Sequence, residues 1–138
     1  MYGEASKTGL RAQVRTTGAG GVRTVEIETR VQDGVRIVKL KGRLSMGPPL
    51  DKLNATMNQL QADGETRFVL DVEEVPTIDS SGIGMLVRYL TTAKQAGGNI
   101  RLLKPSKFTV QTLKMVGLLN LFTVYEEEGA AVASFQHA

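Results

Sequence analysis

The stretch FVLDVEEVPTIDSSGIGMLV, residues 68–87, joins a short apolar run to a helical pattern through a polar loop. The apolar run is bounded by polar residues, which is typical of a strand covered on both faces. The helical part carries an apolar stripe made of Ile83, Leu86, Val87 and Leu90. Asp79 is suited to cap this helix, because its carboxylate can accept a backbone N–H from the first turn. The stretch therefore predicts a strand–loop–helix unit, the building block of α/β folds.

The residues before this stretch predict a hairpin and a helix. VEIETRVQ and VRIVKLKGRL both alternate apolar and polar residues, and Asp33-Gly34 between them is typical of a hairpin turn. A helix follows, beginning near Pro48-Pro49 and stopping at Gly64. Its apolar face consists of Leu50, Leu53, Met57 and Leu60.

The residues after the stretch alternate between strand and helix patterns. The helix from the stretch ends at Gly97-Gly98, and NIRLLK is a strand. Pro105-Ser106 begins a helix that carries Val110, Leu113 and Val116, and FTVYE and EGAAVASF predict a last strand and helix. The order β-β-α-β-α-β-α-β-α predicts an α/β fold: a small, mixed, mostly parallel sheet with an initial hairpin and about four helices.

Composition excludes several classes of function. At 138 residues the chain has the length of one domain, and it contains no cysteine, so disulfides and thiolate metal sites are excluded. The only histidine, His137, is one residue from the C-terminus, which argues against a Ser-His-Asp triad or a His-ligated metal. No apolar run approaches the ~20 residues of a membrane span, and the N-terminus lacks the apolar core of a secretory signal. We expect a cytoplasmic protein without metal, cofactor or membrane contact.

The charge is concentrated at the N-terminus. Residues 1–24 contain Lys7, Arg11, Arg15 and Arg23 against Glu4, whereas the other 114 residues carry 13 basic and 13 acidic side chains. The neutral remainder gives little support to direct nucleic-acid binding. We predict a disordered basic tail over residues 1–24, with a weak contact to an acidic partner as the alternative, and one domain over residues 25–138.

The loop does not match three familiar motifs of catalysis or phosphate binding. A nucleophile elbow centred on Ser81 would need glycine at position 79, and a dinucleotide fingerprint would need glycine at position 87, which is Val87. A Gly-Lys-Ser/Thr phosphate loop is absent from the sequence. Helix capping explains Asp79 without further function, but it leaves the hydroxyl of the following serine unused and accessible to a modifying enzyme.

Four segments of the chain, taken together, resemble the STAS family and specifically the stand-alone anti-sigma factor antagonists. They are VKLKGRLS, FVLDVEEVPTIDSSGIGMLV, AGGNIRLLKPS and LKMVGLLNLFTVYE, in the family's order and spacing over about residues 25–135. The resemblance implies a STAS-type sheet of mostly parallel strands with helices packed on it. It implies no catalytic residue in the chain and leaves weak homodimerisation open.

The same resemblance implies a function for the loop. The first serine after the aspartate corresponds to Ser80, which an anti-sigma factor with GHKL-type serine kinase activity would phosphorylate. The unphosphorylated protein would bind that kinase and release the sigma factor, and a PP2C-type phosphatase would reset the switch. Further residues would shape the docking loop and helix start: Asp79, Ser81, Gly82, Ile83 and Gly84.

The sequence departs from the family at the end of the second strand. Family members often have Gly-Glu-Leu-Asp there, whereas this chain has Gly42-Arg43-Leu44-Ser45 and so lacks both acids. Ser45 is either a loop-forming residue or a remnant of the docking surface. Thr77 is either a loop hydroxyl or a second phosphorylation site.

Other interpretations also remain open from sequence alone. Met85 and Tyr89 flank the apolar stripe and are candidates for a partner surface. A dense apolar group either joins the core or lines a groove for a partner: Met115, Leu118, Leu119, Leu121 and Phe122. For the whole protein, the alternatives are a STAS scaffold subunit of a stress-sensing or lipid-transport complex and, with least support, a nucleotide-binding or hydrolysing domain.

Overall fold

A five-stranded sheet forms the centre of the protein. The computed structural model describes residues 24–137, so the predicted basic tail lies outside the described residues apart from Thr24. The strands are β1 (Glu26–Gln32), β2 (Val35–Lys41), β3 (Arg67–Glu74), β4 (Asn99–Leu103) and β5 (Thr123–Tyr125), in the spatial order β1-β2-β3-β4-β5. The helices are α1 (Pro48–Ala62), α2 (Ser80–Gln95), α3 (Lys107–Met115) and α4 (Glu128–Ala133), with 3₁₀ turns at Leu119–Leu121 and Ser134–His137. The predicted α/β class and order of elements are confirmed.

The opening hairpin is the antiparallel part of the sheet. β1 pairs antiparallel with β2, and Gln32 lies opposite Val35 across the turn. Asp33 and Gly34 both have positive φ, at 53° and 80°. Two such residues in a two-residue loop form a turn whose twist matches that of the strands, which is why Asp-Gly is favoured there. The remaining neighbours, from β2 to β5, pair in parallel.

The two faces of the sheet have separate cores. One face carries Val38, Leu40, Phe68, Leu70, Ile100 and Leu102, which pack against α1, α2 and α3 in the larger core. The alternate strand residues on the other face meet α4 and the last 3₁₀ turn, through Ala131, Val132 and Phe135. β3 contributes Phe68 to one core and Val69 to the other, so the predicted strand with two covered faces is confirmed.

Tyr89 belongs to the core, so its interpretation as part of a partner surface is wrong. Its side chain is 1% exposed, and its hydroxyl donates a hydrogen bond to Asn54 Oδ1 at 3.0 Å. Burial raises the pKa of the Tyr89 hydroxyl to about 12. A tyrosine can follow the apolar stripe into the core when its one polar atom finds a partner, and Asn54 of α1 provides it. Met85 is half-buried against the same core.

The region from α3 to β5 is less buried than its composition suggests. Leu113 and Phe122 are buried in the larger core, and Leu118 and Leu119 pack partly against it. Met115, Val116 and Leu121 are exposed. The core interpretation of this apolar group is therefore wrong for Met115 and Leu121. Val116, predicted as part of the helical stripe, is exposed because α3 ends at Met115.

The two ends of the described chain lie at opposite ends of the hairpin. The backbone of Thr24 and Val25 passes beside Gly42, just after β2, so closely that a Cβ on Gly42 would lie 3.3 Å from the Thr24 carbonyl oxygen. At the other end, the side chain of Gln136 donates a hydrogen bond to the Asp33 carbonyl oxygen in the turn, at 3.2 Å. Among the described residues, no helix combines the length and apolarity needed to cross a bilayer.

Candidate functional site

The loops that follow β2 and β3 lie side by side at one edge of the sheet. Because these strands are parallel, their carboxyl ends meet at the same edge, where α/β proteins usually place functional residues. The Leu44 N–H donates to the Thr77 carbonyl at 3.1 Å, and the Asp79 N–H donates to the Leu44 carbonyl at 3.0 Å. Leu44 and Ile78 thereby form a parallel bridge beyond the strands themselves. The predicted loop residues of both segments are brought together here.

Asp79 fastens this pair of loops to the start of α2. One carboxylate oxygen accepts a hydrogen bond from the Gly82 N–H at 2.9 Å, which is the predicted helix cap. The other oxygen accepts one from the Met46 N–H, also at 2.9 Å, in the neighbouring loop. A single carboxylate thus fixes the first turn of α2 and the loop after β2 in one arrangement.

Ser80 is the first residue of α2, and its side chain is exposed. Within residues 24–137, no hydrogen-bond partner is found for its hydroxyl. Ser81, the next residue, is half-buried. Because Asp79 already caps the helix, the structure leaves the Ser80 hydroxyl free on a solvent-facing turn.

Gly82 and Ile83 support the loop from inside, whereas Gly84 faces solvent. Gly82 is buried so closely that a Cβ there would lie 2.7 Å from Ile78 Cγ1 and 3.1 Å from the Leu44 carbonyl oxygen. Ile83 lies in the larger core. A Cβ on Gly84 would meet nothing within 4 Å. The small residue at position 82 is therefore what allows α2 to start directly over the Leu44–Ile78 bridge.

The neighbouring loops bring Met46, Ser106 and Phe108 to the site, which the sequence did not assign to it. Met46, beside the half-buried Ser45, is exposed while its backbone is tied to Asp79. On the other side, the Ser106 hydroxyl caps α3 by accepting the Thr109 N–H at 3.0 Å and lies 3.3 Å from the Pro76 carbonyl oxygen. The start of α3, with its exposed Phe108, therefore lies next to the Ser80 loop. The sequence signal for Phe108 was its place outside the apolar stripe of α3.

The acidic residues at the end of β3 are paired. Glu73 lies 3.6 Å from Lys104, and Glu74 lies 3.5 Å from Lys39 and 3.8 Å from Lys41. In the part of the chain that the structure describes, no group of three or more His, Cys, Asp or Glu side chains is placed to hold a metal ion. The site as it stands offers an accessible hydroxyl and a shaped surface, and the Asp79 carboxylate is occupied by two backbone N–H groups.

Comparison with known proteins agrees with this architecture. The STAS domain family matches residues 26–131. An anti-sigma factor antagonist from Mycobacterium paratuberculosis has a TM-score of 0.73 and 20% identity, covering 81% of this chain and 94% of that one. A sulfate transporter family protein from Wolinella succinogenes has a TM-score of 0.66 and 22% identity, covering 78% and 88%.

The anti-sigma factor antagonist SpoIIAA of Bacillus is similar in both of its solved forms. Its unphosphorylated form has a TM-score of 0.69 and 20% identity, covering 83% of this chain and 97% of that one. Its phosphorylated form has a TM-score of 0.62 and 22% identity, covering 80% and 98%. No curated protein sequence is a significant match. At these identities the solved structures show the fold alone, and together with the match over residues 26–131 they establish that this chain belongs to the STAS family.

Proposed function

We propose that this chain is an anti-sigma factor antagonist controlled by phosphorylation of Ser80. In its unphosphorylated form it binds an anti-sigma factor with GHKL-type serine kinase activity, which releases the sigma factor. The kinase phosphorylates Ser80 and thereby ends the interaction, and a PP2C-type phosphatase restores it. The chain is a substrate and a binding module in the cytoplasm, with no chemistry of its own.

The observation that carries this proposal is the exposed Ser80 hydroxyl on a turn that Asp79 already caps. A kinase needs a hydroxyl that is accessible and not committed to the fold, and Ser80 meets both conditions. The solved forms of SpoIIAA, unphosphorylated and phosphorylated, are similar in fold to this chain and support a role for phosphorylation on this scaffold.

Phosphorylation of Ser80 is expected to change binding and leave the fold intact. The phosphate brings about −1.5 to −2 charges at neutral pH. At the start of α2 the backbone dipole favours that charge by about 0.3–1 kcal/mol, which offsets repulsion from Asp79. In a closed interface, an unpaired charge costs roughly 3–5 kcal/mol, which weakens binding on the order of hundreds to thousands of times.

The loop after β2 bears on which kinase is bound. Arg43 and Ser45 stand where family members often have acids, and the bond between Asp79 and Met46 N–H holds this loop against the serine loop. The docking surface accordingly consists of, or is supported by, Ser45 and the predicted loop residues Asp79, Ser81, Gly82, Ile83 and Gly84. Because Arg43 and Ser45 replace these acids, the chain selects a kinase whose surface opposite this loop is less basic.

The test compares partner capture by wild type, Ser80→Ala and Ser80→Asp. We expect wild type and Ser80→Ala to retain a GHKL-type kinase, and Ser80→Asp to lose it by on the order of a hundredfold in affinity, because it places a permanent charge at the interface. Incubation with the recovered kinase and ATP should phosphorylate wild type and leave Ser80→Ala unlabelled.

A matched control places the same charge elsewhere on α2. Thr91 is an exposed hydroxyl residue about three turns further along the helix, so Thr91→Asp should bind the kinase as wild type does. Equal recovery of the kinase by all variants would refute the switch. Unfolding of Ser80→Asp, seen by circular dichroism, would refute the claim that the charge acts only on binding.

A second candidate is a STAS subunit of a stress-sensing or lipid-transport assembly, since the likeness to a sulfate transporter family protein shows that this fold is not confined to anti-sigma factor antagonists. In that case the Ser80 loop would serve permanent contacts. Sedimentation of the purified chain separates the two, since a stable large assembly supports the scaffold and a monomer or weak dimer supports the switch. A nucleotide-hydrolysing domain has least support, and incubation with labelled nucleotide alone would reveal it.

A further inference from the structure

The exposed apolar side chains of the described residues are concentrated on α3 and the turn that follows it. Six large apolar side chains are exposed in residues 24–137, and four of them lie between positions 108 and 121. These four are Phe108, Met115, Val116 and Leu121, exposed by 57%, 82%, 53% and 41%. A monomeric protein usually scatters such residues singly, and clustering marks a contact surface.

The outer face of α3 has two parallel ridges. Phe108 and Met115 are seven residues apart, which is about two turns, so they lie on the same side of the helix. Lys107 and Lys114 have the same spacing and form a basic ridge beside the apolar one. Thr109 and Leu113 occupy the opposite side and are buried, so neither ridge is needed to hold α3 on the domain.

The charged side chains of α3, Lys107 and Lys114, are of one sign. Between Asn99 and Val124 the sequence has four basic side chains and no acidic one, although the chain after residue 24 is neutral as a whole. A partner that covers the ridges therefore needs an apolar pocket with carboxylates at its rim. A second copy of this face would bring lysines against lysines, which disfavours a symmetric dimer here.

The ridges continue the surface around Ser80. The Ser106 hydroxyl at the start of α3 lies 3.3 Å from the Pro76 carbonyl oxygen, four residues before Ser80. The loops after β2, β3 and β4 therefore place Met46, Ser80 and Phe108 in sequence along one edge of the sheet. A stable interface covers about 800 Å² on each partner, which is more than the Ser80 loop alone can offer.

We propose that the outer face of α3 is a second docking area for the kinase that binds the Ser80 loop, and that this kinase presents an apolar pocket with an acidic rim. Phe108 and Met115 enter the pocket, and Lys107 and Lys114 face the acids. This inference rests on the proposed function and adds the chemistry of the partner. The contact with α3 supplies affinity, while Ser80 supplies the regulation.

The test measures the affinity of full-length variants for the kinase recovered in the Ser80 comparison. We expect Phe108→Ala/Met115→Ala to weaken binding about tenfold or more, because truncated interface anchors usually carry most of the affinity. Val31→Ala is the matched control, since Val31 is also exposed but lies on β1 at the far edge of the sheet. Its affinity and the melting temperatures of both variants should equal those of wild type.

Charge reversal tests the acidic rim separately. Lys107→Glu/Lys114→Glu should slow association with the kinase at low salt, and the difference from wild type should shrink as salt is added. Arg67→Glu, at the amino end of β3, is the control and should leave the association rate unchanged. An association rate for Lys107→Glu/Lys114→Glu equal to that of wild type at low salt would overturn the proposal that the partner has an acidic rim.

The Ser80→Asp arm separates the two proposals. Loss of binding in Ser80→Asp with unchanged binding in Phe108→Ala/Met115→Ala overturns the α3 docking area alone. Unchanged binding in Ser80→Asp with loss in Phe108→Ala/Met115→Ala overturns the switch alone. Recovery of no kinase overturns both. Two other results also overturn the α3 assignment: wild-type binding to phosphatidylglycerol vesicles that depends on Phe108, or a dimer that dissociates in Phe108→Ala/Met115→Ala.

Discussion

The two helix starts at the functional edge of the sheet use their serines in opposite ways. α2 is capped by the Asp79 carboxylate, and the adjacent Ser80 hydroxyl remains without a partner in the described chain. α3 is capped by Ser106, whose hydroxyl accepts the Thr109 N–H and lies close to the Pro76 carbonyl. Both serines follow parallel strands and begin helices, yet only Ser80 is available to another protein. The difference follows from which side chain caps each helix, since Asp79 leaves the exposed Ser80 hydroxyl unused, whereas Ser106 is itself the cap.

Removal of the α2 cap should change the stability of the domain most. Asp79→Ala loses the bond to the Gly82 N–H and the bond to the Met46 N–H. We expect the free energy of unfolding to fall by about 2–3 kcal/mol, the sum of a lost cap and a lost charge-assisted hydrogen bond. Urea unfolding measures it. Asp79→Asn, with one acceptor oxygen, should lose roughly half as much, and an equal loss in both variants would contradict the double role of the carboxylate.

The second effect concerns the glycines that follow Ser80. Gly82→Ala places a methyl group 2.7 Å from Ile78 Cγ1. We expect it to destabilise the domain by about 1–2 kcal/mol, since overpacking costs more than the helix gains from alanine. Gly84→Ala has open space, so it should stabilise the domain by about 0.5–1 kcal/mol. Thermal unfolding of the two variants in parallel is the measurement, and a stable Gly82→Ala would contradict the close approach of α2 to the loops.

The smallest expected changes in stability come from replacing each of the two serines by alanine, and they compare the serines directly. Ser106→Ala should cost about 1 kcal/mol, because it removes the cap of α3. Ser80→Ala should change the free energy of unfolding by less than about 0.5 kcal/mol, because its hydroxyl supports nothing in the described fold. Chemical denaturation of both variants gives the difference. Similar losses for the two serines would show that Ser80 has a structural role and would weaken its assignment as a free acceptor.

The sequence was informative where structure is set by neighbouring residues. The Asp33-Gly34 turn, the cap by Asp79 and the first turn at Pro48 depend on local backbone chemistry and are found as predicted. Alternation and helical spacing likewise predicted the order of strands and helices, because each element buries one face or both.

The sequence was less informative where contacts join distant segments. The second bond of Asp79, to Met46, links residues 33 positions apart and exists only because β2 and β3 bring their loops together. The spacing of Tyr89 beside the apolar stripe leaves a partner surface open, and its burial depends on Asn54 of another helix, which accepts a hydrogen bond from its hydroxyl. Met115 and Leu121 are apolar residues of the kind found in cores, but both are exposed. Met115 is the last residue of the short helix α3, and Leu121 lies in the turn that follows it. Hydrophobic composition alone does not distinguish a buried position from an exposed one.

The positions of the two chain ends decide how the protein can be handled without disturbing its partner. Thr24 lies beside Gly42, at the edge that carries Ser80, and Gln136 is bonded to the hairpin turn about 23 Å away along the seven-residue strand β1. A reporter protein fused directly before Thr24 would therefore begin at the edge that carries Ser80, where its bulk would compete with any protein that binds there. The same fusion placed directly after the last described residues would begin at the hairpin turn, at the opposite end of β1, and would leave the Ser80 edge open.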